Sequence, residues 1–186
     1  MLEKLIIENC APTLANLKTG EIVNYRFTNS TQAKKEIDRL QEKLKEKGID
    51  IEILQEREKS FLLYVYRRTR LARDLSCPVA RELLHKQGYR AGELNEMVGW
   101  LRARVNDSTQ KGCFPHEIGL FLSYPVQDVK GFMENQGKNC RCCGYWKVYQ
   151  EEEAAVRMFA KFDKCRAVYR KRCSEGAGIY RLTVAC

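Results

Sequence analysis

The sequence predicts an α+β protein, with a small, mostly antiparallel sheet and a crossing helix in the N-terminal part and a helical C-terminal half. Three observations carry this. Ile49, Ile51 and Ile53 alternate with acidic residues, as in a half-buried strand. Phe61 to Tyr66 is apolar or aromatic throughout, which suits a central strand covered on both faces. Beyond Arg68 the alternation ends and apolar residues recur at helical spacing.

The elements follow in order. Ala15–Lys18 and Glu21–Phe27 flank Thr19-Gly20, a turn signal that predicts an opening hairpin. Ser30 or Thr31 can cap a helix whose inner face is Ala33, Ile37, Leu40 and Leu44, and Gly48 ends it. The two strands at 49–53 and 61–66 are joined by a short charged loop around Arg57–Lys59. Ser76 before Cys77-Pro78 predicts a helix start, and Gly88 its end. A second helix from about Gly92 carries Leu94, Met97, Val98, Leu101 and Val105 on one stripe. Asn106–Gly112 is polar and reads as a loop. Two short helices are predicted at Pro115–Leu122 and Pro125–Asn135, then an irregular stretch at Lys138–Tyr149. A long helix runs from Glu151 to about Cys173, acidic in its first turn and basic in its last, as the helix dipole favours. The whole is expected to be a single domain, residues 1–186, with an α+β part at 1–75 and a helical part at 76–186.

Composition bounds the function. At 44% hydrophobic and 31% charged the chain is ordinary globular material. No run approaches the ~18 apolar residues of a membrane span. The first residues, MLEKLIIENCAPTL, carry an early glutamate and no long apolar core, so a cytoplasmic location is the expectation. The nine cysteines are then expected as reduced thiols, mostly core filling. The net charge is +9, denser in the shorter C-terminal part. Clusters at Arg67–Arg73 and Lys161–Arg172 offer a basic face; the second could meet a polyanion or a protein partner.

The stretch from Cys113 to Tyr149 concentrates the candidate chemistry. Cys113-x-x-His116 and Cys140-x-x-Cys143 are two pairs with zinc-like internal spacing, so a zinc or iron ion held by Cys113, His116, Cys140 and Cys143 is one reading. Cys142 makes the second pair ambiguous. Glu117, Trp146 and Lys147 are the candidate binders of a small cofactor. Aromatics interleaved with bases around Gly144–Tyr149 can stack a planar group, or can simply pack the loop. A second reading takes residues 116–135 as a helix-turn-helix-like pair, with Gly119 at the crossing, Ser123 in the turn and Ile118, Leu122, Val129 and Phe132 as shared core. Val126 and Gln127 are poor base readers, and any helical hairpin has this spacing. A third is a protein-interaction module with no ligand. Phosphate-loop, dinucleotide, nucleophile-elbow and zinc-protease motifs are all missing from the sequence. The balance favours a binding or accessory protein over an enzyme.

Several motifs together resemble one family. C-A-P-T-L-A-N-L-K, F-P-H-E-I-G-L-F-L-S-Y-P-V-Q-D-V-K-G-F, G-K-N-C, G-Y-W-K-V-Y and K-C-R-A-V-Y are similar to the uncharacterised bacterial domain-of-unknown-function family 3793. The resemblance spans nearly the whole chain and implies no activity. It matches at His116, Glu117, Gly119, Tyr124, Pro125, Gly131, Trp146 and Lys147. The family usually has Gly where Ser123 stands.

Overall fold

The computed structural model describes residues 1–90, 92–112 and 114–185, with the side chains of all but 108–111. The chain divides into two compact units. The first takes Met1–Arg70 and returns for Lys164–Cys186; the second is Leu71–Asp163. The α+β class stands as expected. No helix among the described residues is long and apolar enough to cross a membrane. All described cysteines are free thiols.

The first unit opens with helix α1 (Leu2–Leu14), followed by β1 (Gly20–Arg26), α2 (Ser30–Lys45), β2 (Ile49–Arg57) and β3 (Ser60–Arg67). The sheet order is β1-β3-β2, antiparallel throughout, so the all-apolar strand is indeed the central one. Phe61, Leu63 and Val65 on one face of β3 join Ile6, Leu14, Ile37 and Leu44 in the core. Tyr64 and Tyr66 stack on the other face, ring centroids 4.6 Å apart, and are buried as well. Asn29, one residue before the expected caps, caps α2 through its side-chain oxygen on the Gln32 N–H.

α1 corrects the expected opening hairpin. Ala15–Lys18 is not a strand; Leu2, Ile6, Cys10 and Leu14 form a helical stripe with no exposure to speak of. Pro12 argues against a helix by sequence. The chain accommodates it with a kink at Cys10 (φ −104°, ψ 15°) instead of stopping. The sheet therefore has three strands, not the four the sequence suggests.

The second unit is built from α4 (Pro78–Lys86), α5 (Leu94–Lys111), α6 (Ile118–Phe121), α7 (Val126–Glu134) and the hairpin β4 (Cys142–Cys143) and β5 (Lys147–Val148). α3 (Arg68–Ser76) leads into it, and α8 (Glu152–Ser174) contributes its residues up to Asp163. α9 (Ile179–Leu182) belongs to the first unit. Two expectations are corrected. Asn106–Gly112 is not a loop: α5 runs on to Lys111 and ends at Gly112 in the left-handed region (φ 69°). Asn106 donates its side-chain amide to the Arg102 carbonyl one turn back, 2.7 Å away. Lys138–Tyr149 is not wholly irregular, because Cys142 pairs with Val148 and Cys143 with Lys147.

Candidate functional site

The corner between α6 and α7 is made by a short apolar helix and a tight exit. All four residues of α6 are buried. Ser123 takes φ 65°, the conformation for which glycine is the cheapest residue, and the Tyr124 N–H returns to the Gly119 carbonyl at 2.9 Å. Gly119 is needed for closeness: a Cβ there would lie 2.7 Å from a Val129 methyl and 3.0 Å from the Tyr124 ring.

The β4–β5 hairpin packs by its aromatics. Trp146, Val148, Ala155 and Phe162 form its buried cluster, and Tyr145 donates to Asp163 at 2.8 Å. Gly144 lies so near Phe159 that a Cβ would stand 2.3 Å from the ring. Asp128, on the first turn of α7, fastens the hairpin to the helix. One carboxylate oxygen accepts the Trp146 indole N–H (2.8 Å); the other accepts the Tyr149 and Gln150 backbone N–H groups (2.8 and 3.2 Å). Its charge is thus buried and hydrogen-bonded, as a buried carboxylate requires.

Between these parts lies a hollow of about 250 Å³. Ile118, Gly119, Tyr124, Val129, Phe132 and Trp146 supply its apolar lining. Its polar lining is His116, Asp128, Cys143 and Lys147. Tyr124 and Trp146 lie tilted at 31° with centroids 5.2 Å apart; His116 stands edge-on to Phe132 at 4.8 Å. The Lys147 ammonium donates to the Gly137 carbonyl at 2.6 Å and sits 5.8 Å from the Phe132 centroid. An ammonium has three donors, so that bond leaves two.

The residues singled out by sequence fall in different places. His116, Cys143, Trp146 and Lys147 line the hollow. Glu117 does not: it is 1% exposed and accepts hydrogen bonds from Arg104 Nε and from the Tyr89 hydroxyl (3.3 Å). Cys113 lies outside the described residues. Cys140 and Cys142 are half-buried and do not line the hollow. Burial, then the Glu152 carboxylate, push the Cys142 thiol up. Among the described residues no three of His, Cys, Asp and Glu come together in a way that could hold a metal ion. Asp128 is the residue that sequence reasoning missed. Its signal was an acid in the first turn of α7 directly before the core residue Val129.

For the helix-turn-helix reading, α7 presents Gln127, Lys130 and Glu134 to solvent, and Lys130 is 3.7 Å from Glu134. In the Lys161–Arg172 cluster, Lys161, Lys164 and Arg170–Arg172 are exposed, while Arg166 is half-buried and donates to the Asn9 carbonyl at 3.0 Å.

The family model of the DUF3793 proteins, described as proteins of unknown function, matches residues 6–183. No curated protein and no solved structure matches the chain.

Proposed function

Given that the chain belongs to the DUF3793 family of proteins of unknown function, we propose that it is a small-molecule-binding protein whose second unit takes a planar organic anion. The observation that carries this is the make-up of the hollow between α6, α7 and the β4–β5 hairpin. Its walls are aromatic and aliphatic. Its one carboxylate, Asp128, is consumed by three internal donors, whereas Lys147 keeps donors to spare. The lining is therefore electropositive towards a guest, and flat rings are the shape that aromatic walls hold best.

Size narrows the guest further. Pockets for drug-sized ligands span roughly 300–1,000 Å³. At about 250 Å³ this hollow suits one or two rings with an anionic substituent, and not a dinucleotide.

The test uses benzoate, nicotinate and indole-3-carboxylate on the full chain, with benzamide as the neutral control. The carboxylates are expected to raise the melting temperature in proportion to the logarithm of concentration, as a ligand of the native state must. Benzamide does so far less, and Lys147→Met removes the difference. Carboxylate shifts that persist in Lys147→Met, or no shift with any of the three, would sink the proposal.

A further inference from the structure

The second unit has another, larger concavity. It measures about 540 Å³ and lies between the end of α3, α4 and the start of α5. Its floor is Ala72, Leu75, Leu84, Tyr89, Leu94 and Met97. The ionic residues lining it are Arg81, Glu82, His85, Arg90 and Glu93.

These charges are not balanced in practice. Glu82 is held by Lys86 at 2.6 Å. Glu93 is turned back onto its own helix, where its side chain caps the Glu96 N–H in a capping box. Both carboxylates are thus engaged by neighbours. Arg81 and His85 are exposed and, among the described residues, have no side-chain hydrogen bond or ion pair. Arg90 meets, among the described residues, the face of Trp100 at 5.7 Å. An apolar floor is left under the Arg81 and Arg90 guanidiniums, the complement of a molecule with an apolar body and one anionic head.

We propose that this groove is a second binding site, for an amphipathic anion: an alkyl or acyl chain that covers the floor and bears a carboxylate or phosphate met by Arg81 and Arg90. The site is separate from the α6–α7 hollow, shares no lining residue with it, and does not depend on what that hollow binds.

The probes are decanoate and decyl phosphate, kept below their micelle concentrations, and decanol, kept below its solubility, each titrated calorimetrically into the full chain. Both anions are expected to saturate a single site and decanol to bind more weakly. Arg81→Gln/Arg90→Gln should weaken the anions about tenfold, the effect of two exposed charge contacts, and leave decanol unchanged. The melting temperature of that variant should match the parent, because both side chains are exposed. Lys147→Met should leave anion binding intact. The tighter of the two heads then identifies the natural head group. Three results would overturn the proposal: no saturable binding of either anion, decanol binding as tightly as decanoate, or equal decanoate affinity in the parent and the double variant. Loss of decanoate binding in Lys147→Met would place the anion in the other hollow and overturn it too.

Discussion

The two units handle positive charge in opposite ways. In the first, cations are drawn inside and consumed. Arg67 is 0% exposed; it donates to the Thr13, Leu14 and Val184 carbonyls at 2.6–2.8 Å. Lys18 is 1% exposed and pairs with Glu21 at 2.6 Å, and burial holds its pKa below the ordinary lysine value. In the second, cations stay at the rims of hollows: Lys147 at one, Arg81 and Arg90 at the other. Buried cations with fixed acceptors act as internal cross-links, whereas cations over apolar floors have acceptors yet to be supplied. The contrast matches the proposal that the second unit binds ligands while the buried cations of the first hold its fold together. Substitutions should therefore separate cleanly into stability effects and affinity effects.

The largest expected effect is at Arg67. Its guanidinium is a second donor to the Thr13 and Leu14 carbonyls at the end of α1, which also accept the Asn16 and Val184 N–H groups at 3.1 and 3.0 Å. Arg67→Met removes all three of these bonds, while the Thr13 and Leu14 carbonyls keep their backbone donors. At ~1–1.5 kcal/mol net for each lost hydrogen bond, a loss of about 3–5 kcal/mol follows. Urea unfolding measures it. Arg67→Lys should recover only part, because one ammonium lacks the planar fork that reaches separated carbonyls. A midpoint shift worth less than ~1 kcal/mol for Arg67→Met would break the contrast on its structural side.

Glu117 is the intermediate case, because it is a buried acid within the binding unit. It ties α6 to Arg104 of α5 and to Tyr89, whose hydroxyl pKa is pushed up by burial and by the Glu117 charge. Breaking a fully buried pair costs ~3–5 kcal/mol, but Arg104 is 36% exposed and can be rescued by water. Glu117→Gln should therefore cost about 2 kcal/mol in chemical unfolding, and aromatic carboxylates should still stabilise the variant. If they no longer do, Glu117 belongs to the site and the division between anchor and rim is wrong.

How legible each unit was in the sequence follows from the same physics. The sheet announced itself through alternation at Ile49–Ile53 and the two-sided run at Phe61–Tyr66, since period two is enforced by the pleat. α1 did not, because Pro12 outweighs the stripe in any local reading, and only burial on the sheet repays the kink at Cys10. In the candidate site, His116, Trp146 and Lys147 stood out as residue types. Their convergence could not be read, because it depends on Asp128 gripping the hairpin 18 to 22 residues further on. Glu117 stands apart from the hollow's lining for the reverse reason. An acid beside a histidine looks like chemistry, and nothing local shows that Arg104 and Tyr89 claim it first. The grouping of cysteines likewise showed spacing but not where the thiols stand.

The smallest stability change and the sharpest test of the contrast should come from Gly119→Ala. The new methyl would meet a Val129 methyl at 2.7 Å and the Tyr124 ring at 3.0 Å, both of them walls of the hollow. Overpacking costs ~1–3 kcal/mol, but alanine returns up to ~1 kcal/mol of helix propensity to α6. The net loss should stay near 1 kcal/mol, within reach of a modest shift of Tyr124. That same shift moves a wall into a space of only about 250 Å³, so aromatic carboxylates should lose far more affinity than the fold loses stability. Decanoate, which is assigned to the other groove, should bind the variant as it binds the parent. A variant that keeps full carboxylate affinity would mean that the guest does not enter between Tyr124 and Val129, and would move the site towards the Cys143–Lys147 side of the hollow.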